Sequence, residues 1–145
     1  MCIKTFNFTL VIVLILTQYS KEFRFRRKIE AIGSPYYKIV MTLGHCTETV
    51  LFVDQKVWGQ MVLNRVLDIS FKCDSARYKV SRVEIALVIN NTNSYAYSEE
   101  GVGYSEFFAT LYLPTNLNFV FYSLTIYSCY KEKESAEITV SKPNT

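Results

Sequence analysis

Apolar and polar residues alternate with a period of two along most of the chain. In VSRVEIALVIN, residues 80–90, Val83, Ile85, Leu87 and Ile89 fall on one side and Glu84, Ala86 and Val88 on the other. That is the pattern of a strand covered on one face. VLFVDQKVW and VLNRVLDISF precede it, FFATLYL follows the Gly101–Gly103 pair, and NFVFYSLTIY follows PTN. Each run is bounded by Gly, Pro, Asn, Asp or Ser, the residues that end strands. Beyond the first 20 residues no segment carries an apolar stripe at helical spacing. The 11 Tyr and 10 Phe suit pleated surfaces. The expected fold is all-β, an antiparallel sandwich or barrel of about seven to eight strands behind an N-terminal signal helix.

The exception to the alternation is the start of the chain. Phe6 to Leu16 is almost unbroken apolar sequence, the length of a signal h-region and shorter than the roughly 18 residues a spanning helix needs. Lys4 precedes it and Thr17, Gln18, Tyr19 and Ser20 follow, which places cleavage near Ser20. The expected organisation is a signal peptide over 1–20, a basic linker over 21–34, one β domain over 35–130 and a polar tail over 131–145, in which EITV could add an edge strand. Export to the extracellular space follows, with no stable membrane anchoring.

Charge sharpens this picture at one place only. The net charge of +3 comes from the beginning of the chain, where Lys21, Arg24, Arg26, Arg27 and Lys28 cluster. Beyond Arg27 there are 11 Lys or Arg against 12 Asp or Glu, and no basic face interleaved with aromatics. Direct nucleic-acid binding is therefore not expected. The run RFRR has three readings. It is a solvated linker, a nuclear address, or a processing site in which Arg24, Arg26 and Arg27 are bound by the acidic pockets of a proprotein convertase, making 21–34 a propeptide. Export opposes the nuclear reading.

Candidate chemistry is sparse. Cys46, Cys73 and Cys129 remain after loss of the signal, an odd number that predicts one disulfide and one leftover thiol without choosing the pair. They lack the paired spacing of a zinc site. His45 beside Cys46 is the sole histidine, and strand neighbours point to opposite faces, so a Cys–His nucleophile is not expected. Glu99 and Glu100 are adjacent in a turn, poor placement for a glycosidase pair. Gly101 and Gly103 shape a turn rather than cradle a phosphate, because a strand pattern follows them. Asn90 with Thr92 forms a glycosylation sequon at a strand end. Catalytic residues, metal sites and cofactors are all expected to be absent.

Residues 81–127 carry a resemblance. Val83 through Leu87 as a strand opening, Gly101 and Gly103, the alternating run Phe107 to Leu113, and the closing Asn118, Phe119, Ile126 and Tyr127 resemble the C-terminal half of the insect multiprotein bridging factor 2 family, which includes many salivary secreted peptides. Glu100 and Ser128 stand where the family pattern has Gly, and Asn90 or Asn91 where it has Asp. The resemblance implies two functions. One is a secreted β domain of salivary or haemolymph type that binds a protein partner. The other is a transcriptional coactivator that bridges a DNA-bound regulator to the general machinery. A carrier of small hydrophobic ligands is a third possibility for an all-β chain, and it needs an interior cavity.

Overall fold

The computed structural model describes residues 22–129 apart from Ala76, so the expected signal segment and the polar tail lie outside the described residues. Nine strands follow one another: β1 (Phe23–Arg24), β2 (Arg26–Gly33), β3 (Tyr36–Gly44), β4 (Thr49–Trp58), β5 (Arg65–Lys72), β6 (Val80–Ile89), β7 (Tyr95–Ser98), β8 (Glu106–Leu113) and β9 (Val120–Ser128). They form two antiparallel sheets, one of four strands in the order β1-β7-β8-β5 and one of five in the order β2-β3-β6-β9-β4. The sheets keep free edges at β1, β5, β2 and β4, so the fold is the sandwich and not the barrel.

Register turns the sequence alternation into a core. In the five-stranded sheet Ile39 pairs with Leu87 and Leu87 with Tyr122, while Met41 pairs with Ile85 and Ile85 with Leu124. These inward side chains are buried, as are Val83, Ile89 and Ile126 in the same layer. From the four-stranded sheet Phe107, Ala109, Leu111 and Leu113 of β8 meet them, with Ile69 of β5 and Ala96 of β7. The central strands β6, β8 and β9 are buried at every second residue, because each lies between two neighbours and faces the opposite sheet.

The expected linker over 21–34 is corrected by the structure. Residues 23–33 form β1 and β2, one strand in each sheet, and Phe25 between them is a core residue only 8% exposed. The chain crosses from one sheet to the other at this phenylalanine, whose ring meets Phe107 edge-on at 6.5 Å. The basic run is thus the outer strand pair on one side of the sandwich. Every residue of β2 is exposed, which erased the alternation by which a strand is recognised. Charged side chains on an edge strand also oppose pairing with another chain, a structural reason for Arg26, Arg27 and Lys28 to be there.

Candidate functional site

Outward positions of the four-stranded sheet bring together residues far apart in sequence. Across the strands, Val66 pairs with Tyr112 and Tyr112 with Tyr95, and in the next outward row Asp68 pairs with Thr110 and Thr110 with Tyr97. Tyr97 in turn pairs with Arg24 of β1. The Tyr95 and Tyr112 rings stack at 5.0 Å. Phe108, opposite Ser70, is 49% exposed although it belongs to a central strand. A sheet face covered by solvent ordinarily carries polar residues, and this one carries an aromatic band instead.

A groove of about 300 Å³ runs along this face between β5, β8 and the β7–β8 connection, lined by Asp68, Tyr97, Glu99, Glu100, Phe108 and Thr110. Among the described residues its charged groups are all carboxylates. The Thr110 hydroxyl donates to Asp68 Oδ1 at 3.2 Å, which orients that carboxylate. At the far end of the face Lys72 is engaged by Glu106, and this hydrogen bond and its charge raise the lysine pKa above its ordinary value. The Lys72 ammonium is thereby already satisfied. The geometry offers negative charge beside aromatic rings, which attracts a cation through both carboxylate and π-face.

The turn that carries Glu99 and Glu100 is fixed locally. Gly101 and Gly103 lie within the β7–β8 connection at φ of 78° and 114°. A Cβ at Gly101 would sit 3.1 Å from the Phe23 ring, and its N–H donates to Ser98 Oγ at 3.0 Å, so a side chain there meets both strain and crowding. The Gly103 N–H donates to the carbonyl of Val80 at 2.7 Å.

The other sequence candidates are placed as follows. Cys46 and Cys129 form a disulfide and Cys73 is free and half-buried. Glu48 approaches the two bridged sulfurs, but sulfurs joined to each other are not thiolate ligands, so these three residues do not constitute a metal site. His45 is exposed on the β3–β4 loop. Asn90 is a clamp: its Nδ2 donates to the Asn116 carbonyl at 3.2 Å and its Oδ1 accepts from the Asn118 N–H at 3.0 Å, tying the end of β6 to the loop before β9. Arg27 donates to the carbonyls of Thr92 and Ser94 at 3.1 and 2.8 Å, and Arg24 and Arg26 stay on the surface. Tyr95, Tyr97, Phe108 and Tyr112 escaped sequence analysis as site residues. Their signal was available as aromatics on the outward phase of strands whose inward phase is already apolar.

The chain matches no family model, and comparison with curated proteins and with solved structures found no match.

Proposed function

We propose that the protein is a secreted, non-enzymatic β domain that binds another protein through the outer face of its four-stranded sheet, with the acidic groove receiving a Lys or Arg side chain of the partner. The observation that carries this reading is the outward aromatic band of Tyr95 and Phe108, both about half exposed, with the half-buried Tyr112 between them, beside Asp68, Glu99 and Glu100. Tyrosine-rich patches supply large contact area at small entropic cost, and protein interfaces are enriched in them. An aliphatic stem would lie along Phe108 and Tyr97 while its cation meets the carboxylates. Export is supported by the apolar run Phe6 to Leu16, and the Cys46–Cys129 disulfide is compatible with an oxidising compartment.

The resemblance to bridging factors supports a second reading, a nuclear coactivator. One experiment separates them. The full-length chain with a C-terminal tag is followed in medium and nuclei, alongside Leu14→Arg, which breaks the apolar run. The secreted reading expects the wild type in the medium and the variant retained. Nuclear accumulation with reporter activation would establish the coactivator instead. The face is tested by cross-linking the recovered protein in its own extracellular fluid. Tyr97→Ala with Phe108→Ala, both outward and outside the core layer, should abolish the cross-linked species while leaving the melting temperature within a few degrees, and an unchanged species would remove the face from the proposal.

A further inference from the structure

A second opening lies around the corner from the groove, on the side of the sandwich where the chain changes sheets. β1 has two residues only and pairs with β7 at Tyr97 and Ser98, after which the Phe25 N–H reaches the same edge at the Ala96 carbonyl. Beyond it is a cleft of about 620 Å³ with Phe25, Met41 and Ala96 as its floor, Tyr95 and Tyr97 as walls, and the guanidinium groups of Arg24 and Arg27 at its rim. The floor is apolar and drawn from both sheets: Phe25 and Met41 are core residues, and Ala96 accepts the Phe25 N–H on its carbonyl at 3.2 Å. The size lies within the roughly 300–1,000 Å³ of small-molecule sites.

We propose that this cleft binds a small amphipathic anion, an acidic headgroup on an apolar body. Arg27 is pinned through its NH1 to the carbonyls of Thr92 and Ser94, a link that holds its guanidinium in place while leaving donors on its other nitrogens. Arg24 has no carboxylate within salt-bridge distance among the described residues. Two planar cations, one of them preorganised, match a carboxylate or phosphate through paired charge-assisted hydrogen bonds. Glu22 is the one carboxylate among the described residues of the lining, and Arg26 and Lys28 lie on the outward side of β2, away from it. The apolar body would lie on Ala96 and Phe25 between the tyrosine rings, over the buried Met41. The cleft shares Tyr95 and Tyr97 with the protein-binding face but draws on the opposite charge and on the inter-sheet floor.

The test titrates the purified protein by calorimetry with decanoate and decyl phosphate, which share the chemistry and distinguish carboxylate from phosphate ligands, and with decanol and decylamine as uncharged and cationic counterparts. At least one anion should bind, and decanol and decylamine should bind at least about tenfold more weakly, the loss expected when a charge-assisted pair is removed. Arg24→Gln, a partnerless surface residue, should weaken the anion about tenfold with an unchanged melting temperature, whereas Lys28→Gln, on the other face of β2, should leave it within about twofold. Equal binding of decanol and decanoate, no binding of either anion, or equal effects of the Arg24 and Lys28 substitutions would each overturn the proposal.

Discussion

On one side of the sandwich the chain passes from one sheet to the other through a single residue, Phe25. On the other it passes from β4 to β5 over residues 59–64, and side chains also bridge these two edge strands. Phe52 and Phe71 meet at 5.7 Å, and Trp58 of β4 meets Tyr122 of β9 at 5.5 Å. Between those aromatic pairs, Asp54 and Lys56 point to the inner phase of β4, opposite Leu124 and Tyr122, and pair with each other at 2.8 Å. The first side thus has a one-residue crossing plugged by a core ring, with a cleft beside it; the second has a longer crossing whose edge strands meet through aromatic rings, with a charge pair set among them. The proposed ligand cleft lies on the β1–β2 side, and the buried plug there should carry more stability than the exposed Phe52 ring at the β4–β5 side.

The largest test concerns how β4 is delivered to its edge. The chain leaves β3 and passes the ends of β6 and β9 to reach β4, and the Cys46–Cys129 disulfide pins that passage to the end of β9 across 83 residues. Ser81 Oγ lies within hydrogen-bond distance of the Cys46 and Tyr127 carbonyls, at 3.2 and 3.1 Å, and fixes the same corner. Chain-entropy reasoning gives about 4 kcal/mol for a bridge closing a loop of this size. Cys46→Ser with Cys129→Ser should lose that much in denaturant unfolding, and amide exchange should rise first in β4. Loss of protection shared equally with β2 would erase the asymmetry.

Next comes Phe25→Ala. Removing a buried ring that plugs the crossing should cost roughly 3 kcal/mol by lost transfer and cavity formation. Phe52→Ala on the other side removes a ring already 40% exposed, so its cost should stay near or below about 1 kcal/mol. Urea unfolding of the two variants gives the ranking, and a larger loss at Phe52 would mean that the aromatic contact between the β4 and β5 edges carries more of the fold than the plug at Phe25.

A pH scan probes the β4–β5 side alone. Burial, then the nearby Asp54 carboxylate, push the Tyr122 pKa up from 10.0 to about 12. The folded state therefore holds this proton more tightly than the unfolded chain. Its contribution is complete below pH 10 and is lost as pH rises toward about 12, an effect on the order of 1–2 kcal/mol. Tyr122→Phe should flatten stability over that interval, and an unchanged slope would place the alkaline loss elsewhere.

How much of this was readable beforehand depended on where each strand sits. β6, β8 and β9 are central, so Val83, Ile85, Leu87, Leu111 and Ile126 had to be apolar on one phase and the period of two survived in sequence. The VLFVDQKVW run also became a strand, although its inner phase includes Asp54 and Lys56, a charge placement that alternation alone does not explain. β2 was illegible because an exposed edge selects charge on both phases, and the same run reads equally well as linker, tag or protease site. β7 has four residues, too few for a period. The aromatic band needed the register, since Tyr95 and Tyr112 are neighbours only once β7 and β8 pair. The cleft was out of reach for the same reason: Arg24, Met41 and Ala96 share no sequence pattern, and only the crossing at Phe25 brings them together.

The smallest effect on stability carries the sharpest information about the edge. Lys56 is 54% exposed at its side chain and Asp54 28%, and a pair with that much solvent is worth about 0–1 kcal/mol. Lys56→Val should therefore shift unfolding by no more than about 0.5 kcal/mol, with the valine packing beside Tyr122 offsetting the lost pair. Its consequence lies in association. Val50, Val53 and Val57 on the outward phase of β4 are all more than half exposed, so the strand already presents an apolar edge. An inward-pointing charge makes such an edge a poor template, because a second strand docking there would bury the ammonium. Without it, Asp54 is the one inward charge left on β4, beside one free row of backbone donors and acceptors. Light scattering at high protein concentration should show faster aggregation for Lys56→Val than for Lys28→Val on β2, where the neighbouring arginines still guard the strand. Equal rates would mean that the two edges are protected by the same means, and the division between a closing side and a capturing side would lose its physical basis.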